Sequence, residues 1–252
     1  MAGATATGKF PRSCIPVLIM VKLFEKQFIT SSDFDDRDSK ALFRDLEFRK
    51  CSFEGCNISI TFDPNLRSTV RNVKLTQCEQ RGCAVDSAIL ENVTVDGLKT
   101  HTLLQTWGAV FKHVILKGKI GRLMFSPYVF PSIATKEQQE AFDEANTAYY
   151  ETVDWALDIR EAEFEECDIR SVPGRLVRRD PQTQVLVTRA KAARGEWRRL
   201  DLSKTYWHVG LDLFLQSGNQ DLVLVAPKRA RDFRALLDGL KKLRDAGVAE
   251  PD

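Results

Sequence analysis

The sequence predicts a mainly β protein: a parallel β-helix interrupted by one inserted α-helix and closed by a C-terminal amphipathic capping helix. Three observations carry that prediction. Residues 41–60 divide into fives, ALFRD, LEFRK, CSFEG and CNISI, which puts Phe43, Phe48, Phe53 and Ile58 in one slot and Ala41, Leu46, Cys51 and Cys56 two residues earlier. Six more fives, VKLTQ, CEQRG, CAVDS, AILEN, VTVDG and LKTHT, fill residues 73–102, and LDIRE, AEFEE and CDIRS fill 157–171. Residues 135–151 and the stretch from Pro227 carry apolar side chains at helical spacing instead. A period of five fits neither an α-helix, which repeats near 3.6, nor a strand, which repeats at 2. A coil that turns a corner at every fifth residue holds the first and third residues of each five inside and leaves the other three in water. Roughly twenty residues then make one turn, the stacking unit of a solenoid.

These units resemble the pentapeptide-repeat family, whose consensus is a small residue, Asp or Asn, then Leu or Phe, then two polar residues. Units 157–171 match it most closely, with Asp158, Glu163 and Asp168 at the Asp/Asn slot. The resemblance implies a right-handed four-sided β-helix. It also implies two kinds of role: imitation of a DNA duplex to bind a topoisomerase, or service as a bacterial immunity factor against a toxin.

Taken in order, residues 1–19 read as a disordered or non-native leader, with Met20 as the natural start. The apolar run 15–21 is followed by Lys22, Glu25 and Lys26 instead of a cleavage site, and it is far shorter than the roughly 20 residues that span a bilayer. Residues 22–30 read as one strand covering the end of the solenoid. SDFDD at 32–36 is a further unit, and its aspartates, without EF-hand spacing, form a solvated turn. Asp63, Pro64 and Asn65 make a corner. Gln80 and Thr100 break the apolar rule of the central slot and need polar partners. Past residue 103 the phase slips around Gly118 and Gly121, and Pro127 and Pro131 end the coil locally. Helix 135–151 takes Thr135 as N-cap and Gln138, Phe142, Ala145 and Tyr149 as one stripe.

Beyond the last three units, strands 176–177 and 185–187 flank a turn at 180–183 and suggest a hairpin. Alternation of Trp207, Val209, Leu211, Leu213 and Leu215 predicts a strand, and 222–225 a short one. From Pro227 a helix with Phe233, Leu236, Leu237, Leu240 and Leu243 on one face, closed by Gly247, is the lid an open solenoid end requires. The chain thus divides into a leader at 1–19, a β-helix domain at 20–226 with its helical insertion at 127–152, and a capping helix with tail at 227–252.

Composition narrows the function classes. A net charge of +2 favours no charged partner, although residues 137–168 are acidic with only Arg160 as counterweight and the chain from Arg170 onward is basic. The pairs Cys51/Cys56 and Cys78/Cys83 invite a zinc reading, but with Cys167 they fall on the small inward slot, where a free thiol acts as a small hydrophobe. Metal, cofactor and disulfides are therefore not expected, and a reducing cytoplasm is. No phosphate-binding loop, dinucleotide fingerprint, nucleophile elbow or HExxH occurs, and His101, His113 and His208 stand apart. Glu165 and Glu166, adjacent on a strand, would point to opposite faces.

The reading that follows is a non-enzymatic protein-binding solenoid of immunity or inhibitor type, with no catalytic residues. The alternatives are a DNA-mimic inhibitor of a topoisomerase and a β-helix enzyme acting on polysaccharides. Candidate partner-binding residues are Tyr128, Phe130, Tyr149 and Tyr150 on the insertion, because aromatics are enriched at interfaces, and Arg178 and Arg179 on the basic stretch. The expected partner is a protein, neither nucleic acid nor membrane; oligomeric state is open, with a dimer through the C-terminal helix among the options.

Overall fold

Successive parallel strands wind through the first two thirds of the chain in a computed structural model that describes residues 21–130 and 133–250; the expected leader at 1–19 lies outside them. The first coil holds β1 (Lys22–Glu25), β2 (Phe28–Thr30) and β3 (Asp35–Arg37). Residues 22–30 are therefore two strands, not one, because Lys26 takes a left-handed φ of 51° and turns the chain between them. The second coil holds β4 (Leu42–Arg49), β5 (Ser52–Glu54) and β6 (Asn57–Ile60). After a 3-10 turn at Pro64–Leu66, where Asp63 accepts from Asn65 N–H, come β7 (Thr69–Arg81) and β8 (Ala84–Asp86). The fourth coil has β9 (Ile89–Thr100) and β10 (Leu104–Trp107), and the fifth β11 (Val110–Lys112) and β12 (Val114–Ser126).

Parallel register stacks like slot on like slot. Phe24 pairs with Phe48, Phe48 with Leu75, Leu75 with Val95 and Val95 with Leu116, and Phe48, Leu75 and Val95 are the third residues of their fives. Inside, Phe24 and Phe48 stack at 4.9 Å between ring centres, and Phe48 meets Phe53 edge-on at 5.4 Å. Cys51, Cys56 and Cys78 are buried, Cys83 and Cys167 partly so, and all five are free thiols. The polar exceptions are satisfied: Gln80 donates to Thr102 O at 2.9 Å and accepts from Cys83 N at 3.2 Å, and Thr100 accepts from Arg122 N at 2.6 Å.

Corners fall where the period of five places them. Asp45, Lys50 and Gly55 in the second coil, Asn72, Gln77 and Gly82 in the third, Asn92 and Gly97 in the fourth, and His113 and Gly118 in the fifth all have positive φ. That backbone turns the chain sharply and costs glycine or asparagine least. One column of corners is tied together by its side chains: Asn72 donates to Asp45 at 3.0 Å, Asn92 to Asn72 at 3.2 Å, and His113 bridges Asn92 at 3.3 Å and Asp154 at 2.6 Å. His113 also stacks on Trp155 at 4.6 Å, so it is a structural corner residue.

The inserted helix α1 (Lys136–Glu151) starts as the sequence predicts, with a capping box between Thr135 and Gln138. It lies on the coil flank. Phe142 and Tyr150 are buried, and the Arg67 guanidinium sits 4.5 Å over the Phe142 ring while donating to Asn146 Oδ1 at 2.5 Å. Two further coils follow: β13 (Leu157–Asp158), β14 (Ala162–Ile169), a 3-10 turn at Gly174–Leu176, and β15 (Val177–Arg178). β14 pairs with β12 through Ile120 and Phe164, and Leu123 and Cys167.

The predicted hairpin at 176–187 does not form. Val177 continues the solenoid, pairing in parallel with Leu157, while β16 (Gln184–Thr188) pairs antiparallel with the distant β17 (Asp221–Val225). Between them Asp180 accepts from Gln182 N–H at 3.0 Å and Thr183 Oγ1 at 2.9 Å, a tight turn that redirects the chain. Between the two strands lie α2 (Arg189–Ala193), a 3-10 turn at Glu196–Arg199, and α3 (Trp207–Gln216); α4 (Phe233–Asp245) follows β17. The predicted strand at 207–215 is thus helix α3. Its alternation is incidental, and the residues that are buried, Trp207, Leu211 and Phe214, keep helical spacing. α4 begins at Phe233, after turns at Ala230 and Phe233, and ends at Gly247 with φ 69°.

Burial separates two cores. The coils share one, and the C-terminal helices pack in a second with Val185, Val187 and Leu224. Leu186, Val223 and Val225 point the other way, into the solenoid core. The lid is therefore the strand pair β16–β17, which serves the coil core on one face and the core of the C-terminal helices on the other.

Candidate binding groove

Strand β14 is the last on its side of the solenoid, and its outer edge is incompletely paired. Ile169 pairs with Val223 of β17 and Arg229 N–H reaches Phe164 O at 3.0 Å, whereas Glu165, Glu166, Cys167 and Asp168 between them have no strand partner on that side among the described residues. β17 parts from β14 here, and a groove of about 920 Å³ opens between that edge and helix α3. Phe164 is buried and Cys167 half-buried, with two exposed residues between them. Glu165 and Glu166 therefore both face water and both line the groove, contrary to the opposite-face expectation for a straight strand.

The far wall is apolar. Tyr206, Val209 and Leu213 are the exposed residues of α3 and its N-terminal turn on this wall, and the buried Trp207 and Phe214 also border it. Tyr128, from the segment leaving β12, completes the rim. Their exposures are 51% for Tyr128, 46% for Tyr206, 49% for Val209 and 47% for Leu213, so four of the largest exposed apolar side chains of the described residues gather on one concavity. That is what a recognition surface needs, since scattered single apolar residues are ordinary and a cluster in a groove is not.

Four carboxylates, Glu165, Glu166, Asp168 and Asp232, and four arginines, Arg122, Arg170, Arg229 and Arg231, line the groove. Arg122 faces Glu165 at 3.8 Å and Arg170 holds Asp168 at 2.5 Å, while Glu166 and Asp232 have no ion-pair partner among the described residues. Burial, then the nearby Asp232, Glu166 and Asp168 charges, push the Tyr206 hydroxyl up to about 12. The phenol therefore sits in a negative field.

Of the sequence candidates, only Tyr128 belongs to this groove. Phe130 packs toward Trp107, 6.2 Å between ring centres. Tyr150 is buried against Tyr149, whose hydroxyl donates to Glu91 at 3.3 Å, so this pair fixes α1 to the coil flank. Arg178 lies 4.1 Å over the Trp155 ring, and Arg179 donates to Gly174 O at 3.2 Å and Val177 O at 3.3 Å. Tyr206, Val209, Leu213, Glu166 and Asp232 are not among the partner-site residues that the sequence offered. The signal for α3 was present in the spacing of Trp207, Leu211 and Phe214 but was masked by the stronger period of two.

No described helix is long and apolar enough to cross a membrane, and no group of three or more His, Cys, Asp or Glu is placed to hold a metal among the described residues. Comparison with family models, with curated proteins and with solved structures returns no match.

Proposed function

We propose that this chain is a non-enzymatic protein-binding solenoid, a closed right-handed four-sided β-helix of pentapeptide-repeat type serving an immunity or inhibitor role. One observation carries the reading: Tyr128, Tyr206, Val209 and Leu213 line a single groove beside an open strand edge. A stiff stack of coils holds that groove at fixed geometry, which favours recognition over chemistry. Free thiols at five positions fit a reducing cytoplasm. Mixed-sign pairs across the coils, Arg71–Glu91 at 2.7 Å, Lys117–Asp96 at 3.4 Å and Lys99–Glu79 at 3.6 Å, favour this over duplex mimicry, which calls for a continuous acidic face.

The test is partner capture by crosslinking in lysate of the source cells, comparing the natural chain with a Val209→Asp, Leu213→Asp double variant. A partner retained by the first and lost by the second, with thermal unfolding unchanged, supports the reading. Equal capture by both removes the groove from it. The unpaired Glu166 and Asp232 are the one feature in favour of a polysaccharide-active enzyme. That alternative expects release of reducing ends from an acidic polysaccharide, abolished by Glu166→Gln.

A further inference from the structure

We infer that the interior of the coils is a second binding site, separate from the groove, that takes up an unbranched hydrocarbon chain. A cavity of about 210 Å³ lies there. Its walls come from five successive coils, from Ile29 and Phe34 in the first to Phe111 and Phe125 in the fifth. Paired strands lie about 4.8 Å apart, so the lining extends roughly 19 Å along the stack and encloses a long, narrow space. The inward residues report the same space. Phe43, Phe53, Ile58, Leu75, Val85 and Leu90 belong to the coil core yet are only half-buried, whereas Phe111, Leu116, Leu123 and Phe125 of the fifth coil are buried. The side chains explain the change. Phe48 and Phe53 fill the central slot in the second coil, while Leu75, Val85, Leu90 and Val95 stand there in the third and fourth and leave room in the same frame. The fifth coil closes the space again, with Phe111 and Phe125 edge-on at 5.4 Å between ring centres. At the first coil, β1, β2 and β3 each have a strand neighbour on one side only among the described residues, which puts the mouth at that end.

The wall sets the chemistry of the occupant. Among the described residues no charged side chain lines the cavity, and besides thiols its polar side chains are Gln80 and Thr106. Backbone engages both. Gln80 donates to Thr102 O at 2.9 Å and accepts from Cys83 N–H at 3.2 Å, and Thr106 donates to Met124 O at 3.4 Å. A polar group carried inside would lose its water and find no partner, so the interior accepts hydrocarbon and leaves a polar end at the mouth. The size is sufficient, because a dry apolar cavity of about 150 Å³ already admits benzene.

The experiment titrates the full, methyl-labelled chain with 1-hexanol, 1-octanol and 1-decanol and follows the methyl signals by NMR. Leu75, Val85, Val95 and Leu104 should shift while Val209 and Leu213 in the groove do not. Affinity should tighten by about fourfold per added carbon, the gain from burying one methylene. 1-Adamantanol, with ten carbons in a compact cage, should bind at least about tenfold more weakly than 1-decanol. Absence of any shift up to about 1 mM 1-octanol, shifts confined to Val209 and Leu213, indifference to chain length, or tighter binding of the cage would each overturn the inference. Val85→Phe combined with Val95→Phe places in this slot the ring that Phe48 and Phe53 already supply in the second coil. It should weaken 1-decanol by at least about tenfold, and unchanged affinity in the folded variant would also overturn the inference. Should that variant fail to fold, the titration of the natural chain decides alone.

Discussion

In the coils, Phe24, Phe48, Leu75, Val95 and Leu116 stand in one column, each paired with the residue of the same slot one turn away. In the cap, Trp207 of α3 instead donates to Leu236 O of α4 at 3.0 Å and packs against Gly239, with partners drawn from separate elements and no repeating register. The coil region reuses one local rule, so a residue's surroundings follow from its place in the five. The cap has a single instance of everything, and its surroundings are fixed by contacts between segments far apart in the chain. Where the two meet, β16 and β17 serve both cores with alternate residues, because a strand points successive side chains to opposite faces.

The largest expected effect tests whether that shared strand pair makes one cooperative unit. Phe164 is fully buried in the last coils, and Phe164→Ala should cost about 3–5 kcal/mol in denaturant unfolding. If near-ultraviolet signals from Trp197 and Trp207 in the cap melt with the coils, the two cores fold together; a separate cap transition would break that unity.

Next comes Asp86, at the end of β8 beside Trp107, buried with neither carboxylate oxygen hydrogen-bonded among the described residues. Burial raises its carboxyl from 3.8 to about 7. Below the lower value both states hold the proton and nothing is lost. Between the two, the folded chain keeps a proton that the unfolded chain has released, so stability falls as pH rises, and above about 7 the loss is complete. Asp86→Asn should therefore stabilise the protein by on the order of a few kcal/mol at pH 8 and progressively less toward pH 4, read from unfolding at each pH.

In the cap, a Cβ at Gly239 would meet Trp207 Cδ1 at 2.6 Å, so Gly239→Ala should cost about 1–3 kcal/mol and shift the Trp207 fluorescence. The coil counterpart is smaller. Asn72 has φ 55° and bridges Asp45 and Asn92, and Asn72→Ala should cost about 1 kcal/mol while Asn72→Gly, losing the ladder but keeping the backbone, costs less. Equal losses in the two variants would assign the corner's stability to the side-chain ladder alone.

Legibility followed the same division. Phe48 and Cys51 could be placed inside from their slots, and Asp45 and Asn92 at corners as fifth residues, since a period of five admits no competing element. Thr135 and Gln138 announced α1 through a local capping motif. Val209 and Leu213 were misread because a ten-residue helix with apolar residues on two faces also satisfies alternation. Choosing between the periods required the opposing Leu236 and Leu240, which only the folded chain brings near. Val177 and Val185 looked like hairpin mates for a related reason: pairing with Leu157 or with Leu224 is decided by what else lies alongside.

What the amino-acid order determined by itself is the repeating part, because each five carries its own inward residues and its own turn and needs only a copy of itself as neighbour. Tertiary structure alone decided where the stack stops and what is left uncovered there. The groove exists because β17 leaves β14 after one pair, and whether two strand edges stay together or part depends on the packing of α3 and α4 behind them.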